Sequence, residues 1–330
     1  MKQTIRLILA AFTAAILLLG AVACGSDDEG EESASTPTAG GGETAGGELI
    51  ESDSANEGKT VTIGSKNFTE QYILGNIYSQ ALEAAGFDVK TALDLGSEQI
   101  AFKAVQSGQI DGYPEYTGTA LTSFFGIETT DVPTDADEAY ELAKEEYAKE
   151  GITALARTPF NNTFVLTSTP ETADKLGNPT TISELADAEG SDDLSLAAFP
   201  ECRQRTDCLL GLNELYGWMP EFISTEGKYE PLDNDQADFV FGFGTDGDLT
   251  LDKYYTYEDD NGLFPPYNIT MTLSDEAAGT LGPAGIEVIE RIQEPMTEEV
   301  MAELNSRVDL DKQKPEDVAT AYLQESGFTE

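Results

Sequence analysis

The sequence predicts an α/β protein that folds as two lobes. Short β-rich runs alternate with segments of helical period, which is typical of a sheet with crossover helices. The alternation stops at Asn161-Asn162 and then begins again, and 330 residues suit two such units better than one long sheet. No period of about 20–50 residues recurs, so a solenoid is excluded.

The elements of the first lobe follow one another from residue 60. Thr60-Val-Thr-Ile-Gly64 is a β-rich run that ends at a glycine. Asn67 with Glu70 three residues later is typical of a capping box, so we expect a helix from about Phe68 to Gly86. Further elements are predicted as a strand over 87–91, a helix over 97–107 capped by Ser97, a helix over 135–150 capped by Thr134, and a strand over 152–156.

The second half of the chain repeats this alternation. Strands are predicted over 163–168, 194–198 and 238–243, and helices over 181–188, 206–217, 282–294, 297–306 and 315–326. Pro315 stands in the first turn of the last helix, where its missing N–H leaves no partner unsatisfied.

Charge and composition exclude several classes of protein. The chain has 18 Lys and Arg against 62 Asp and Glu, a net charge of −44, and no histidine. Histidine-dependent catalytic triads and imidazole zinc sites are therefore excluded. Binding to nucleic acid requires clustered basic residues, which the chain lacks. We interpret the acidic excess as a halophilic adaptation, because concentrated salt screens the repulsion among carboxylates.

An enzyme is not favoured. Among 62 carboxylates, pairs that are close in sequence carry no information about acid–base catalysis. Gly242-Phe-Gly-Thr-Asp-Gly247 matches a phosphate-loop pattern, but no helical pattern follows it and it is acidic where a phosphate would bind. We expect no catalytic residue, no cofactor and no metal.

The amino-terminal segment is predicted to be an export signal. Basic residues precede an apolar run over 7–23, which is short for a membrane span of about 20 residues. The run ends in Ala21-Val-Ala-Cys24, which resembles a bacterial lipobox. We therefore expect residues 1–23 to be removed and Cys24 to be lipidated, which anchors the protein on the extracytoplasmic face of the cell membrane. A plain secretory cleavage with an incidental Cys24 is the alternative.

Residues 24–58 are predicted to form a flexible acidic tether. The segment consists mostly of Gly, Ser, Thr, Ala, Asp and Glu, and it has too few apolar residues to offset the entropy of ordering. It would hold the folded body away from the membrane.

The two other cysteines, Cys202 and Cys208, are expected to form a disulfide. Outside the cytoplasm such a pair most simply closes the short loop between them. A metal pair is the alternative, but no second cysteine pair or histidine exists to complete a tetrahedral site.

Several stretches of the body carry a resemblance to a known family. They are Val61-Thr-Ile-Gly-Ser-Lys-Asn-Phe-Thr-Glu-Gln71, Tyr113-Pro-Glu-Tyr-Thr-Gly-Thr119, Asn161-Asn-Thr-Phe164, Gly244-Thr-Asp246, Leu263-Phe-Pro-Pro-Tyr267 and Pro315-Glu-Asp-Val-Ala319. In this order and spacing, the chain resembles the glycine betaine/choline (osmoprotectant) substrate-binding proteins of ABC importers.

The resemblance implies a two-lobed, periplasmic-binding-protein-like fold of type II, in which each lobe is a mixed sheet flanked by helices. Lobe one would comprise 59–161 and a return over 266–330, and lobe two would comprise 162–265. Two crossovers near Asn162 and Pro265 would act as the hinge. The alternation of predicted strands and helices alone supports two lobes, but it does not predict this discontinuous connectivity.

The resemblance also implies an aromatic cage formed by Tyr116, Phe164, Phe243 and Tyr267. A quaternary ammonium has no N–H to donate, so aromatic faces hold it by cation–π attraction of roughly 0.5–2 kcal/mol per ring. Phenylalanine stands at 164 and 243 where tyrosine is expected, which leaves the identity of the ligand open. Without the resemblance, these phenylalanines would be read as core residues and the tyrosines as surface residues.

A carboxylate clamp of Lys66, Thr119 and Arg205 is implied in the same way, with Arg203 as the alternative arginine. Charge-assisted contacts from such cations would hold the carboxylate of a betaine. Thr119 can donate to a carboxylate, whereas an aspartate there would repel it, so betaine is favoured over choline. Taken alone, Lys66 and the arginines would be read as solvated side chains.

The sequence thus predicts an extracytoplasmic solute-binding lipoprotein that captures glycine betaine or a related quaternary ammonium and delivers it to an ABC transporter permease. The alternatives are the same fold binding choline, carnitine or another betaine, and a ligand-sensing ectodomain without transport. The expected partners are the small ligand, the permease and the membrane, through the lipid anchor. No nucleic acid is expected, and we expect a monomer.

Overall fold

The computed structural model describes residues 47–251 and 253–330. The signal predicted over 1–23, the lipidation of Cys24 and the first part of the predicted tether lie outside the described residues. Within those residues, no helix combines the length and the apolar character that crossing a membrane requires.

Ten strands and eleven α-helices form the described part of the chain, with short 3₁₀ and π segments between them. The strands are β1 Thr60–Gly64, β2 Asp88–Ala92, β3 Gly112–Tyr116, β4 Ile152–Asn161, β5 Phe164–Ser168, β6 Ser195–Ala198, β7 Glu221–Ser224, β8 Phe239–Phe243, β9 Tyr255–Tyr257 and β10 Asn268–Ser274. The helices are α1 Thr69–Ala84, α2 Glu98–Gln106, α3 Thr117–Thr119, α4 Ala136–Lys149, α5 Pro170–Lys175, α6 Ile182–Ala186, α7 Leu209–Tyr216, α8 Glu230–Asp233, α9 Asp275–Gln293, α10 Glu298–Asp309 and α11 Pro315–Glu325.

The strands form two five-stranded sheets, in the orders β2-β1-β3-β10-β4 and β7-β6-β8-β5-β9. Both sheets are mixed. In the first, β1 runs parallel to β2 and β3 while β10 is antiparallel to β3 and β4. In the second, β6 runs parallel to β7 and β8 while β5 is antiparallel to β8 and β9. The predicted fold class, two mixed sheets flanked by helices, is confirmed.

The chain leaves the first sheet between β4 and β5 and returns to it between β9 and β10. The predicted order of strands and helices did not include this return, because no strand was predicted over residues 268–274. Thr270 and Thr272 of β10 are fully buried, and their hydroxyls donate to the backbone carbonyls of Leu155 and Tyr113. Polar side chains satisfied in this way leave a buried strand without a recognisable apolar run.

Each sheet carries its own apolar core. Around the first sheet, Ile63, Leu74 and Met271 are fully buried in one cluster with residues of α9, α10 and α11. In the second, Trp218 and Phe239 pack edge to face with ring centroids 5.2 Å apart. In the described residues, two further apolar clusters, one on each sheet, surround Tyr113 and Val240.

The predicted boundary of the tether is wrong at its carboxyl end. Residues 47–58 pack against the body: the N–H of Gly47 donates to the carbonyl of Ser326 at 2.7 Å, and that of Ile50 to Phe328 at 2.8 Å. The Ile50 side chain is buried, and Asn56 donates to the carbonyl of Ala85 at 2.9 Å. Buried Ile50, buried Asn56 and the backbone hydrogen bonds together hold this segment against the body.

Two predicted helix caps also need correction. The N-cap of α1 is Phe68, without a side-chain bond, so the capping box of Asn67 and Glu70 does not form. The helix over 136–149 is capped by Asp135, which accepts from two backbone N–H groups, and not by Thr134. The helix predicted from residue 282 begins at Asp275 and is interrupted where Gly282 adopts a φ of 63°.

Candidate functional site

A cavity of about 90 Å³ lies between the two sheets. All seven side chains predicted to bind a ligand line it, namely Lys66, Tyr116, Thr119, Phe164, Arg205, Phe243 and Tyr267. They come from the ends of β3, β5 and β8, from α3, and from the loops before α1, α7 and β10. The fold therefore brings together residues that are up to about 200 positions apart in the sequence.

The second sheet supplies one aromatic wall. Phe164 of β5 and Phe243 of β8 are direct cross-strand partners, so their side chains share one face of the sheet. Their ring centroids are 5.1 Å apart with planes inclined by 29°. The two rings thus form a continuous apolar surface at the edge of the cavity.

The first sheet supplies the opposite wall through Tyr116, the last residue of β3. Its ring is buried and its hydroxyl donates to Glu70 Oε1 at 2.7 Å. Burial, together with the charge of Glu70, raises the pKa of Tyr116 well above its ordinary value. The ring is therefore fixed in direction by a hydrogen bond and presents an un-ionised aromatic face.

Phe68 bridges these two walls, and the sequence analysis did not assign it to the site. Its ring lies nearly parallel to both neighbours, with centroids 6.1 Å from Tyr116 and 5.9 Å from Phe243. Phe199 also lines the cavity and lies 6.3 Å from Phe243. Phe68 belongs to the stretch 61–71 that carries the family resemblance, which was the available signal.

Tyr267 completes the aromatic lining from the segment before β10. Its ring meets Phe164 edge to face, with centroids 5.5 Å apart. Its hydroxyl donates to Asp207 Oδ2 at 2.6 Å, and burial with the charge of Asp207 raises the pKa of Tyr267 well above its ordinary value. The four predicted rings therefore surround one cavity, two from each sheet.

Lys66 is not a free cation. Its ammonium donates to Glu115 Oε1 in a buried ion pair, and both side chains are almost fully shielded from solvent. The same Nζ atom lies 4.4 Å from the ring centroid of Tyr116 and 5.7 Å from that of Phe68. Burial lowers the pKa of Lys66, an effect that the charge of Glu115 opposes.

Arg205 is paired as well. Its Nε donates to Asp207 Oδ1 at 2.7 Å and its Nη2 to Oδ2 at 2.6 Å, a bidentate arrangement. Burial alone would raise the pKa of Asp207, but the charge of Arg205 and the hydrogen bonds it receives hold that pKa below the ordinary value. Arg205 lines the cavity, whereas the guanidinium of Arg203 lies 4.7 Å from the ring of Phe222. The predicted carboxylate clamp stays a prediction, and both of its cations already have buried carboxylate partners.

The loop that carries Arg205 is closed by a disulfide between Cys202 and Cys208, as predicted. Cys208 is also the residue that precedes α7. A short covalent loop restricts the directions that Arg205 can take. Both cysteines are buried and both line the cavity.

Three carboxylates that the sequence analysis did not single out also line the cavity: Glu98, Glu201 and Glu226. Burial raises the pKa of Glu201 above the ordinary value of a glutamate. Among the 62 acidic residues of the chain, no local pattern distinguishes these three. Only the fold reveals that they face the same space.

The carboxylate of Glu70 connects Tyr116 of the first sheet with Thr245, which follows β8 of the second. Its buried carboxylate accepts from Tyr116 Oη at 2.7 Å, Asn162 Nδ2 at 2.8 Å, Thr245 Oγ1 at 2.5 Å and Asn305 Nδ2 at 3.0 Å. Burial raises the pKa of Glu70. These donors are distant in the sequence: Asn162 lies at the first crossover and Thr245 follows β8. Because the Glu70 carboxylate accepts from them, it does not form the capping box with Asn67.

Residues 59–325 match the family model for the substrate-binding domain of ABC-type glycine betaine transport systems. The chain belongs to this family. It is 34% identical over 283 residues to the glycine-betaine-binding protein of Pseudomonas aeruginosa, which covers 82% of this chain and 88% of that protein.

Other members of the family are similar over the same extent. The carnitine transport binding protein OpuCC of Listeria monocytogenes is 28% identical, with 82% of this chain and 88% of that protein covered. The solved structure of apo YehZ from Escherichia coli has a TM-score of 0.60 at 25% identity, with 82% of this chain and 99% of that chain covered. As a substrate-binding component of the ABC importer family, the chain is not an enzyme, and its family works outside the cytoplasm.

Proposed function

We propose that this protein captures a quaternary ammonium solute between its two lobes, with the cation held by Tyr116, Phe164, Phe243 and Tyr267, and hands it to an ABC permease. One observation carries the proposal: aromatic rings from both sheets line one cavity. A methylated ammonium gains cation–π attraction of roughly 0.5–2 kcal/mol from each well-placed ring.

The size of the cavity supports a small ligand. It measures about 90 Å³, whereas a single water needs roughly 10–15 Å³ by the same measure. A solute with eight or so heavy atoms, such as glycine betaine, is of the right order. The related proteins of Pseudomonas and Listeria carry names that specify glycine betaine and carnitine, so glycine betaine is the first ligand to test and carnitine, choline and other betaines follow.

Closure of the lobes is the proposed mechanism. Lobe one is taken as 59–161 with 266–330 and lobe two as 162–265, and the ligand would favour the closed arrangement because it contacts both. A micromolar dissociation constant requires about −8 kcal/mol, which a cage and a few polar contacts can supply. We further propose that the protein acts as a monomer anchored through lipidated Cys24.

Calorimetric titration of the purified protein with glycine betaine, proline betaine, carnitine and choline tests the cage. Tyr116→Ala and Tyr267→Ala should each abolish binding of every quaternary ligand. Tyr140→Ala, which changes a tyrosine of α4 outside this cavity, is the matched control and should leave binding unchanged. Binding that survives both cage substitutions would refute the proposal.

A further inference from the structure

Glu98 is one of the cavity-lining residues that the proposed cage and clamp do not use. It is the first residue of α2, it lines the cavity, and 8% of the residue's surface remains exposed. Across residues 47–251 and 253–330, no donor forms a hydrogen bond with its carboxylate and no cation forms an ion pair with it. Among the described residues, its oxygens do not belong to the buried polar atoms that lack a partner, so they are open to the cavity and can accept from a donor that a ligand brings.

The position of Glu98 stabilises the ionised form of its carboxylate but supplies no hydrogen-bond donor to it within the described residues. An acidic side chain in the first turn of a helix interacts favourably with the helix dipole. Its charge also acts on Lys66 and Arg205 at longer range. Neither cation is available to pair with it, because Lys66 donates to Glu115 and Arg205 to Asp207.

The electrostatic balance of the cavity follows from these pairings. Two cations, Lys66 and Arg205, are matched by their own buried carboxylates, and the three further carboxylates on the wall form no ion pair within the described residues. A ligand with a net positive charge therefore meets a complementary surface, whereas a zwitterion brings its own carboxylate toward further negative charge.

We propose that Glu98 accepts a hydrogen bond from a hydroxyl or N–H group at the end of the ligand that lies opposite the quaternary nitrogen. This inference rests on the proposed function. It makes Glu98 a specificity-determining residue, and it names the ligand class as quaternary ammonium compounds that carry a donor, rather than betaines whose only polar end is a carboxylate. The hydroxyl of Thr119 lines the same cavity and, in the part of the chain that the structure describes, takes part in no hydrogen bond. The Thr119 hydroxyl can donate a hydrogen bond to the oxygen of the same ligand hydroxyl.

The test uses the full-length protein and three probes that differ only at the end remote from the ammonium. Choline carries a hydroxyl, propyltrimethylammonium replaces it with a methyl group, and glycine betaine carries a carboxylate. Calorimetry should show that choline binds on the order of 10- to 100-fold more tightly than propyltrimethylammonium, the range for a hydrogen bond to a charged group. Choline should also bind more tightly than glycine betaine.

Two variants assign this preference to Glu98. Glu98→Ala should remove most of the advantage of choline over propyltrimethylammonium, and Glu98→Gln, which keeps the shape but not the charge, should tighten glycine betaine relative to choline. Glu201→Gln makes the same change on another carboxylate of the wall and should leave the choline-to-propyltrimethylammonium ratio unchanged. Thermal unfolding of each variant without ligand checks that the fold is retained, as expected because Glu98 makes no hydrogen bond within the described residues.

The outcomes separate this inference from the proposed function. If choline and propyltrimethylammonium bind equally to the wild type, or if Glu98→Ala leaves their ratio unchanged, the role of Glu98 is refuted while the cage stands. A general effect of charge would also overturn it, and would appear as an equal shift in Glu98→Gln and Glu201→Gln. If the wild type binds none of the three probes, the proposed function itself fails.

Discussion

Asp207→Asn should destabilise the protein strongly, because no orientation of the new amide satisfies its neighbours. Asp207 is fully buried, and both of its oxygens accept from the guanidinium of Arg205. Oδ2 also accepts from Tyr267 Oη at 2.6 Å and from Thr122 Oγ1 at 3.2 Å. Whichever way an asparagine turns, its NH₂ group faces an N–H of Arg205, which cannot accept a hydrogen bond.

The expected loss follows from the burial of this pair. Removing one partner of a buried ion pair costs about 3–5 kcal/mol, because the other charge stays buried without compensation. The guanidinium side chain of Arg205 keeps 14% of its surface exposed, so the lower end of the range, about 3 kcal/mol, applies. Asp137→Asn is the matched control. Asp137 accepts from two nitrogens of Arg157, but its side chain is 79% exposed, and such surface pairs contribute about 0–1 kcal/mol.

Urea unfolding at a series of pH values measures both variants against the wild type. The folded pKa of Asp207 lies below the ordinary value of about 3.9, so the pair stabilises the fold above that pH. This contribution is lost as the pH falls through the folded pKa. The gap between wild type and Asp207→Asn should therefore be constant near neutral pH and shrink below about pH 4. A gap under about 1 kcal/mol at neutral pH, or one that does not shrink in acid, would contradict this reasoning.

Three further measurements address other parts of the structure. Phe68→Leu removes a ring between Tyr116 and Phe243 and should weaken every quaternary ligand about 3- to 10-fold in calorimetry. Cys202→Ser opens a loop of sequence separation 6 and should lower the free energy of unfolding by about 2 kcal/mol, measured by urea unfolding in oxidising buffer. The net charge of −44 predicts a higher melting temperature in molar KCl than in dilute buffer, and an unchanged melting temperature would count against halophilic adaptation.

The resemblance named four aromatic side chains that line one cavity, and most of the elements were predicted, because both depend on short contiguous patterns. Strand β8 and helix α4 lie within one or two residues of their predicted bounds, since period and end signals are local. Glu70 shows where local reasoning stops. Its spacing from Asn67 fits a capping box, yet its carboxylate instead accepts from Tyr116 and three other side chains that the fold brings to it. Four buried hydrogen bonds outweigh one cap.

The roles of the carboxylates at the site could not be predicted from the sequence, for a different reason. Nothing in the sequence distinguishes Asp207 or Glu98 from the other acidic residues, because their roles depend on which cations and which cavity the fold places beside them. A clamp of two free cations was a reasonable expectation from Lys66 and Arg205. Their partners Glu115 and Asp207 became visible only in three dimensions.

The network around Asp207 joins the geometry of the cage to the contact between the two sheets. Asp207 follows β6 of the second sheet, whereas Thr122 and Tyr267 flank strands of the first. The carboxylate of Asp207 thus accepts hydrogen bonds from Arg205, from the proposed cage residue Tyr267 and from Thr122. If the two lobes separate as proposed, Asp207 keeps Arg205 but loses its bonds from Thr122 and Tyr267. The ring of Tyr267 would then lose its fixed direction, so the proposed opening of the cleft would also loosen the proposed cage.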